Sequence, residues 1–256
     1  MLLPSMSSKE IYDQILDDLK KIQIRQEYLL PKVIKEFRKE RRFPAWRWYE
    51  YIVPETNNKH IIFFYAESRM FIDRPKVDFF TIIFDNRTRF VIKATVGGYR
   101  HTEKAPLKGI RQIHVFSSHF IERYNERLLK DKLLNSNDIV CNYFSRNTIS
   151  IPIQMNEGIN RNLEKYGKSA KYGYRVRDGF CFVRSRIEGI PSEDGDRTKD
   201  KIDAILVLYT TFMNESSMTT SQLSAINNGH YNTWEQFFRI FLEEENDGVV
   251  KLSIEP

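Results

Sequence analysis

One histidine and two arginines recur at every fourth position in the middle of the chain, at His119, Arg123 and Arg127. On an α-helix these positions are offset by about 40° from one another and span roughly 12 Å of the axis, so the side chains form one stripe. Two arginines one turn apart repel each other by about 0.2 to 0.5 kcal/mol on an isolated helix, and a bound phosphate would reverse that repulsion. A neutral imidazole beside them can act as a general base. The stripe is therefore a candidate for taking a proton from a ribose 2′-hydroxyl while the arginines hold the phosphate.

A solvated helix face is the alternative for the same residues. Glu122, Glu126 and Lys130 fall in the same polar arc. Glu126 is spaced to pair with Lys130 and to offset part of the charge of Arg123. On this interpretation the stripe is only the side of the helix that faces water.

Basic residues also surround the strongest hairpin signal in the chain, the dipeptide Asp178-Gly179. They are Lys171, Arg175, Arg177, Arg184 and Arg186. Alternate residues of a strand share a face, so residues 175 and 177 form one pair and residues 184 and 186 form another. The pattern predicts a two-stranded ribbon that binds a phosphate backbone. The alternative is a charged edge hairpin that resists aggregation.

Threonines follow a continuous apolar run, 204–209, that is typical of a central strand. The hydroxyl of Thr210 could donate a hydrogen bond to a phosphate at the end of that strand. Threonine is also common at strand ends because of its β-propensity alone.

The helix that carries the stripe is predicted to begin at the cap Ser117-Ser118 and to end near Lys130. Its opposite arc is apolar, with Phe120, Ile121, Tyr124 and Leu128 facing a sheet. Strands are expected at 60–65, 79–84, 88–95, 110–116, 172–177, 180–187 and 204–209. Asp85-Asn86-Arg87 is expected to form a hairpin loop, and Val96-Gly97-Gly98 is expected to end the unit that follows it. A further helix is expected to begin at Ser136 or Asn137.

Both ends of the chain have a helical pattern. Residues 8–42 repeat apolar positions at helical spacing after a cap at Ser7 or Ser8, and Pro31 is expected to divide them into two helices. An aromatic cluster with arginines, 43–49, is expected either to stack on bases or to anchor a helix to its domain. Residues 231–245 are expected to form a C-terminal amphipathic helix.

The sequence thus predicts an α+β protein with two parts. A helical extension occupies residues 1–55. A core at 56–256 contains a mainly antiparallel sheet, one packed central helix and the C-terminal helix.

Composition narrows the classes of function. The formal charge of +6 and the isoelectric point near 9.1 favour an anionic partner such as nucleic acid. The two cysteines, Cys141 and Cys181, lie in apolar surroundings without metal-ligand spacing, and the five histidines show no metal-binding pattern, so neither a metal nor a cofactor is expected. No Walker, GxSxG or GxGxxG motif occurs. The chain also lacks a signal-peptide pattern and a membrane-spanning apolar run, and it is expected in the cytoplasm.

The order of these features resembles the RelE-like and colicin-like ribonuclease toxin fold group. The resemblance covers at most about residues 110–212 and depends on the helix with His119, Arg123 and Arg127, the basic strands 172–187, and the apolar strand that ends at Thr210. It implies a small metal-independent ribonuclease with a helix packed on an antiparallel sheet. It further implies that His119 is the acid/base, that the two arginines are phosphate ligands, and that Thr210 is a supporting hydroxyl. The chain departs from the group in its length, in the extra strands between 56 and 99, and in the loop 191–200.

Three hypotheses follow. The first is a metal-independent endoribonuclease that cuts RNA through His119. The second is a non-catalytic nucleic-acid-binding or scaffold protein of phage or mobile-element type, which uses the same basic surface and binds RNA in preference to DNA. The third is a protein-interaction module, with a protein partner or a homodimer formed by its aromatic N-terminal region and C-terminal helix.

Overall fold

A computed structural model describes residues 1–99, 108–154, 172–190 and 201–228 of the chain. Its helices are α1 (Ser8–Arg38), α2 (Ser118–Tyr124) and α3 (Ser136–Arg146), with a π-helical turn at Asn125–Leu129, short 3₁₀ turns at Arg69–Phe71 and Glu215–Ser217, and helical residues at 220–228. Its strands are β1 (Ala45–Ile52), β2 (Lys59–Ala66), β3 (Lys76–Asp85), β4 (Thr88–Tyr99), β5 (Lys108–Ser117), β6 (Ser150–Gln154), β7 (Tyr172–Val176), β8 (Gly179–Ile190) and β9 (Lys201–Asn214). The predicted C-terminal helix, 231–245, lies outside the described residues.

All nine strands belong to one sheet, in the spatial order β1-β2-β3-β4-β5-β9-β8-β7-β6. Strands β1 to β5 form an antiparallel meander, and β6 to β9 form a second one. The last strand, β9, pairs with β5 in parallel and thereby joins the two halves. The α+β class is confirmed, and the sheet is mixed because of this single parallel pair.

Helix α1 covers one face of the sheet and is continuous. A capping box begins it: the Ser7 amide donates to Glu10 over 2.8 Å, and the Glu10 amide donates to the Ser7 hydroxyl over 3.3 Å. The expected break at Pro31 is wrong, because the helix continues through it to Arg38. Val33 and Phe37 are completely buried against the sheet, whereas Pro31 is exposed. Packing thus compensates a proline cost of about 3 kcal/mol, and water can solvate the unpaired carbonyl.

The aromatic cluster 43–49 is largely strand β1, which forms the edge of the sheet beside β2. Trp46 and Trp48 pack against the apolar core on the other face, and the Trp48 indole donates to Asp138 of α3 over 2.8 Å. The expected boundary between extension and core, at residue 55, falls in the turn between the paired strands β1 and β2. These aromatic side chains attach the edge strand to the core.

The loop at residues 85–87 is the expected hairpin. Asp85 pairs with Thr88, and both Asn86 and Arg87 have positive φ angles, of 45° and 71°, as a type I′ turn requires. Strand β4 does not end at Gly97-Gly98 but continues to Tyr99. The side chain of Gln112 from β5 lies over Gly97 and occupies the space that a Cβ atom would need. Glycine is therefore compatible with the strand here because a neighbouring side chain crosses it.

The second face of the sheet carries α2 and α3. Its core contains Phe116, Phe120, Tyr124, Tyr143 and Tyr209, whose rings are within 5.8 Å of one or more of the others. Both cysteines are buried free thiols, as expected. Helix α3 begins at Ser136 as expected, capped by the side chain of Asn135.

Candidate functional site

The helical segment formed by α2 and the π-helical turn 125–129 has the start, the end and the orientation that its sequence predicts. The Ser117 hydroxyl accepts a hydrogen bond from the Phe120 amide over 3.2 Å. Phe120, Ile121 and Tyr124 are buried against the sheet. The helix stops at Lys130, which adopts a left-handed conformation with φ 55°. Local capping and one apolar arc are thus enough to place this helix.

The predicted stripe is not a set of three free groups. His119 is exposed and has no hydrogen bond to any other described residue. Arg123 forms an ion pair with Glu126 at 2.7 Å, so Glu126 offsets Arg123 as expected. Arg127 donates to the carbonyl of Phe212. Both arginines therefore already bind another group of the protein.

The backbone also changes the spacing of the stripe. Residues 125–129 form a π-helical turn, in which each residue rotates by less than the roughly 100° of an α-helix. Arg127 lies in this turn, and its carbonyl accepts a hydrogen bond from the Asn214 side chain over 3.0 Å. The turn is thereby tied to the end of β9, and Arg127 does not continue the line that α-helical spacing defines from His119.

Thr210 also has a partner within the sheet. Its hydroxyl donates to the Phe182 carbonyl over 3.0 Å, at a register shift between β8 and β9. The expected supporting hydroxyl thus satisfies a carbonyl where the ladder is irregular.

Most of the arginines of the expected phosphate ribbon lie on the other face of the sheet. Arg175 is opposite Phe180, which packs in a separate cluster with Phe182 on the face away from α2, and it forms an ion pair with Glu215. Arg184 and Arg186 alternate with Phe182 along β8 and therefore share that face. Arg186 forms an ion pair with Glu188. The structure does not bring these three arginines together with His119.

The other two members of the ribbon have different positions. Arg177 is exposed in the turn between β7 and β8, next to the C-terminal end of α3. Lys171 lies outside the described residues. The β7–β8 hairpin itself is confirmed, with Arg177 and Asp178 as its turn and Gly179 paired with Val176 as the first residue of β8.

A large cleft lies on the α3 face of the sheet, with a volume of about 630 Å³. Side chains from β3, β4, β5, β6, β7 and β9 line it together with the C-terminal end of α3. Because strands from both halves of the sheet contribute, the sheet must curve around this cleft. It is referred to below as the central cleft.

His114 of β5 lies at the floor of the central cleft and is only 9% exposed. Its Nε2 is 3.2 Å from Gln112 Oε1, and its Nδ1 is 3.1 Å from the Tyr209 hydroxyl. Since the Gln112 oxygen can only accept, Nε2 carries the proton and Nδ1 accepts from Tyr209. This is a neutral imidazole held at both nitrogens.

Electrostatics keeps that imidazole uncharged. Burial, together with the positive charge of Lys93, lowers the pKa of His114 to about 4. Lys93 is directly opposite His114 in the β4–β5 ladder and forms an ion pair with Asp78. Burial also raises the pKa of Tyr209 well above its ordinary value of 10. The floor of the cleft thus combines a neutral base, a protonated phenol and an ammonium group.

Aromatic rings form a wall of the cleft. Tyr174 is stacked on Tyr209 at 5.7 Å between centroids, and Tyr209 is stacked on Phe116 at 4.1 Å. His114 meets the edge of Tyr174 at 6.1 Å. Phe116 and Tyr209 are buried in this stack, and Tyr174 is half-buried at its end.

A buried polar network supports the mouth of the cleft. The Asp178 carboxylate accepts hydrogen bonds from Tyr124 at 2.6 Å, from two nitrogens of Arg146 at 2.6 to 3.1 Å, and from Asn147 at 3.0 Å. Burial opposes ionisation, but the donated hydrogen bonds outweigh it and lower the pKa of Asp178. The network joins α2, α3 and the β7–β8 hairpin, and so fixes the end of α3 over the cleft.

A second buried network lies beneath α1 on the opposite face. Asp18 is 3.1 Å from His60 Nε2, and His60 Nδ1 is 2.9 Å from the Thr81 hydroxyl. The side chains of Thr56 and Asn58 also donate to Asp18. A carboxylate, an imidazole and a hydroxyl in series can activate a nucleophile. Here Asp18, His60 and Thr81 are at most 1% exposed, so no substrate can reach them. This series of hydrogen bonds instead attaches α1 to the sheet.

One pattern in the sequence points to the central cleft, namely polar residues that alternate with apolar ones along β5. Gln112 and His114 alternate with Ile113 and Val115 along β5, which places two polar side chains on one face of an otherwise apolar strand. Periodicity indicates that face but not what covers it. Its enclosure by α3, β6 and β7 depends on contacts between residues far apart in the chain.

Within the ranges that the structure describes, no group of three histidine, cysteine, aspartate or glutamate side chains comes together as a set of metal ligands. None of the helices within those ranges combines the length and apolarity needed to cross a membrane. Comparison with protein-family models, curated proteins and solved structures found no match to this chain.

Proposed function

We propose that this protein is a metal-independent endoribonuclease of the cytoplasm whose reactive centre is the central cleft. The observation that carries the proposal is the neutral His114, held between the Tyr209 hydroxyl and Gln112 beside Lys93. A buried titratable group with a strongly shifted pKa in a cleft is a candidate for an acid–base centre. The positive net charge of the chain favours a polyanionic substrate.

Each group has a role in this proposal. Lys93 exchanges its partner Asp78 for a phosphodiester that enters the cleft, and the phosphate charge then favours the protonated form of His114. The Tyr209 oxygen takes the proton of the ribose 2′-hydroxyl while its own proton passes to Nδ1 of His114. The 2′-oxygen attacks phosphorus, and the 5′-oxygen leaves with a proton returned from His114 through Tyr209. The products are a 2′,3′-cyclic phosphate and a 5′-hydroxyl. The reaction needs a 2′-hydroxyl, so the substrate is RNA and not DNA.

This proposal moves the acid–base role from His119 to His114. Two observations support the move. His119 is exposed on α2, whereas His114 is buried in the central cleft beside Lys93. Enclosure matters because electrostatic stabilisation is stronger where water is excluded.

The test compares two histidine variants on RNA. Protein cleared of host nuclease is incubated with end-labelled RNA in excess EDTA, alongside His114→Ala and His119→Ala. General acid–base catalysis contributes about 10²- to 10⁴-fold, so His114→Ala should lower the cleavage rate by at least about 100-fold. His119→Ala should cut at nearly the wild-type rate. Circular dichroism and thermal unfolding check that both variants are folded.

Three outcomes contradict the proposal. Equal cleavage by His114→Ala and wild type removes His114 from the reaction. Loss of cleavage in His119→Ala alone restores the stripe hypothesis. Salt-dependent binding of RNA without cleavage by the wild-type protein favours the non-catalytic binding hypothesis.

A further inference from the structure

A second cavity adjoins the central cleft. It has a volume of about 370 Å³ and shares Thr148 and Ile149 with the cleft as lining residues. These two residues follow α3 and precede β6. The segment 148–149 therefore lies between the two cavities.

Positive charge predominates in this second cavity. Its basic lining residues are Lys76, Arg146, Arg175 and Arg177, and its acidic lining residue is Glu67. Arg146 is paired with Asp178 and Arg175 with Glu215, so Lys76 and Arg177 carry most of the charge available to a ligand. Lys76 is 62% exposed and lies at the limit of an ion pair with Glu67, at 4.0 Å. Arg177 is exposed and forms no ion pair with any described residue. These two cations can accept a phosphate at little cost in existing contacts.

Arg146 is held in place in the same cavity. Its guanidinium donates two hydrogen bonds in fork geometry to Asp178, which is itself buried. The side chain is nevertheless 38% exposed. A fixed arginine loses less conformational entropy when it binds an anion than a free one does.

We infer that the second cavity is a phosphate subsite for the nucleotides next to the scissile bond, so that the substrate is a single strand longer than a dinucleotide. This inference rests on the proposed function, because it assigns the neighbouring cleft to the reacting nucleotide. A single strand is required because the Tyr209 hydroxyl lies at the floor of a cleft, where a nucleotide within a duplex cannot reach. Lys76, Arg146 and Arg177 then contact the backbone rather than the bases.

The experiment measures affinity against length with RNA that cannot be cut. Fluorescence anisotropy follows the binding of 2′-O-methyl dinucleotides and octanucleotides to wild type, Lys76→Ala, Arg177→Ala and Lys93→Ala. Lys20→Ala is the matched control, since Lys20 is exposed on α1, on the opposite face of the sheet. All titrations are repeated at several salt concentrations.

Lys76→Ala and Arg177→Ala should each weaken octanucleotide binding by about threefold to tenfold and reduce the magnitude of the salt slope by about 0.7 per lost phosphate contact. Both should leave dinucleotide affinity unchanged, whereas Lys93→Ala should weaken both lengths. Equal effects of Lys76→Ala and Arg177→Ala on the two lengths, or none on either, would overturn the subsite. Failure of the proposed function is seen separately, as wild-type protein that binds but does not cut unmodified RNA.

Discussion

The charge state of His114 makes the stability of this protein depend on pH. Its pKa is lowered from an ordinary value of 6.5 to about 4 by burial and by Lys93. The unfolded chain therefore binds a proton more readily than the folded chain does in mild acid. The stabilisation is present above pH 6.5 and is lost as the pH falls toward the folded pKa. Between pH 7 and pH 5 the loss from this one group is about 2 kcal/mol, and its limit in stronger acid is about 3 kcal/mol.

Urea unfolding monitored by tryptophan fluorescence at pH 7 and pH 5 measures this effect. In His114→Gln the free energy of unfolding should change with pH by about 2 kcal/mol less than in wild type. The buried His60, whose pKa is also lowered by burial, contributes in the same direction in both proteins and cancels from the comparison. His119→Gln is the matched control, since His119 is exposed. An identical pH dependence in wild type and His114→Gln would show that His114 is not buried in its neutral form, and would remove the basis of the proposed base.

Three further substitutions test the parts of the fold that position the cleft. Asp18→Ala should lower the free energy of unfolding, measured in urea, by about 3 kcal/mol, because several buried donors lose their acceptor. A loss below about 1 kcal/mol would contradict the role of Asp18 in attaching α1. Tyr124→Phe should cost about 1 to 2 kcal/mol in the same assay, since it removes one hydrogen bond to a buried carboxylate, and an unchanged midpoint would show that this bond contributes nothing. Gly179→Ala should lower the thermal midpoint by several degrees, which corresponds to a cost of about 1 to 3 kcal/mol. The reason is that Gly179 has φ 151° and that an added Cβ atom would meet the Met213 carbonyl. Wild-type stability in this variant would mean that the turn can relax.

Features that depend on neighbours in sequence were predictable. The cap at Ser117, the apolar arc of α2 and the stop at Lys130 need only a few adjacent residues, and all are observed. The β7–β8 hairpin follows in the same way from the dipeptide Asp178-Gly179, although its turn is one residue earlier, at Arg177-Asp178. The break at Pro31 failed for the converse reason, because distant strands bury the residues beyond it and keep the helix intact.

The location of the candidate site was not predictable to the same extent. Strand alternation correctly indicates that Arg184 and Arg186 share a face. Alternation does not say which helix covers that face. The arginines lie away from α2 because β9 pairs in parallel with β5 and brings the β6–β8 meander beside it.

The sequence by itself determined the α+β class, the position and orientation of α2, and the hairpins, because each depends on local capping, periodicity or turn residues. Only the tertiary structure decided that His114 is buried beside Tyr209, that Arg127 donates to the Phe212 carbonyl, and that two cavities share Thr148. The His114–Tyr209 and Arg127–Phe212 contacts join residues 95 and 85 positions apart. Such contacts depend on the order in which the strands pair, and the local patterns in the sequence do not specify that order.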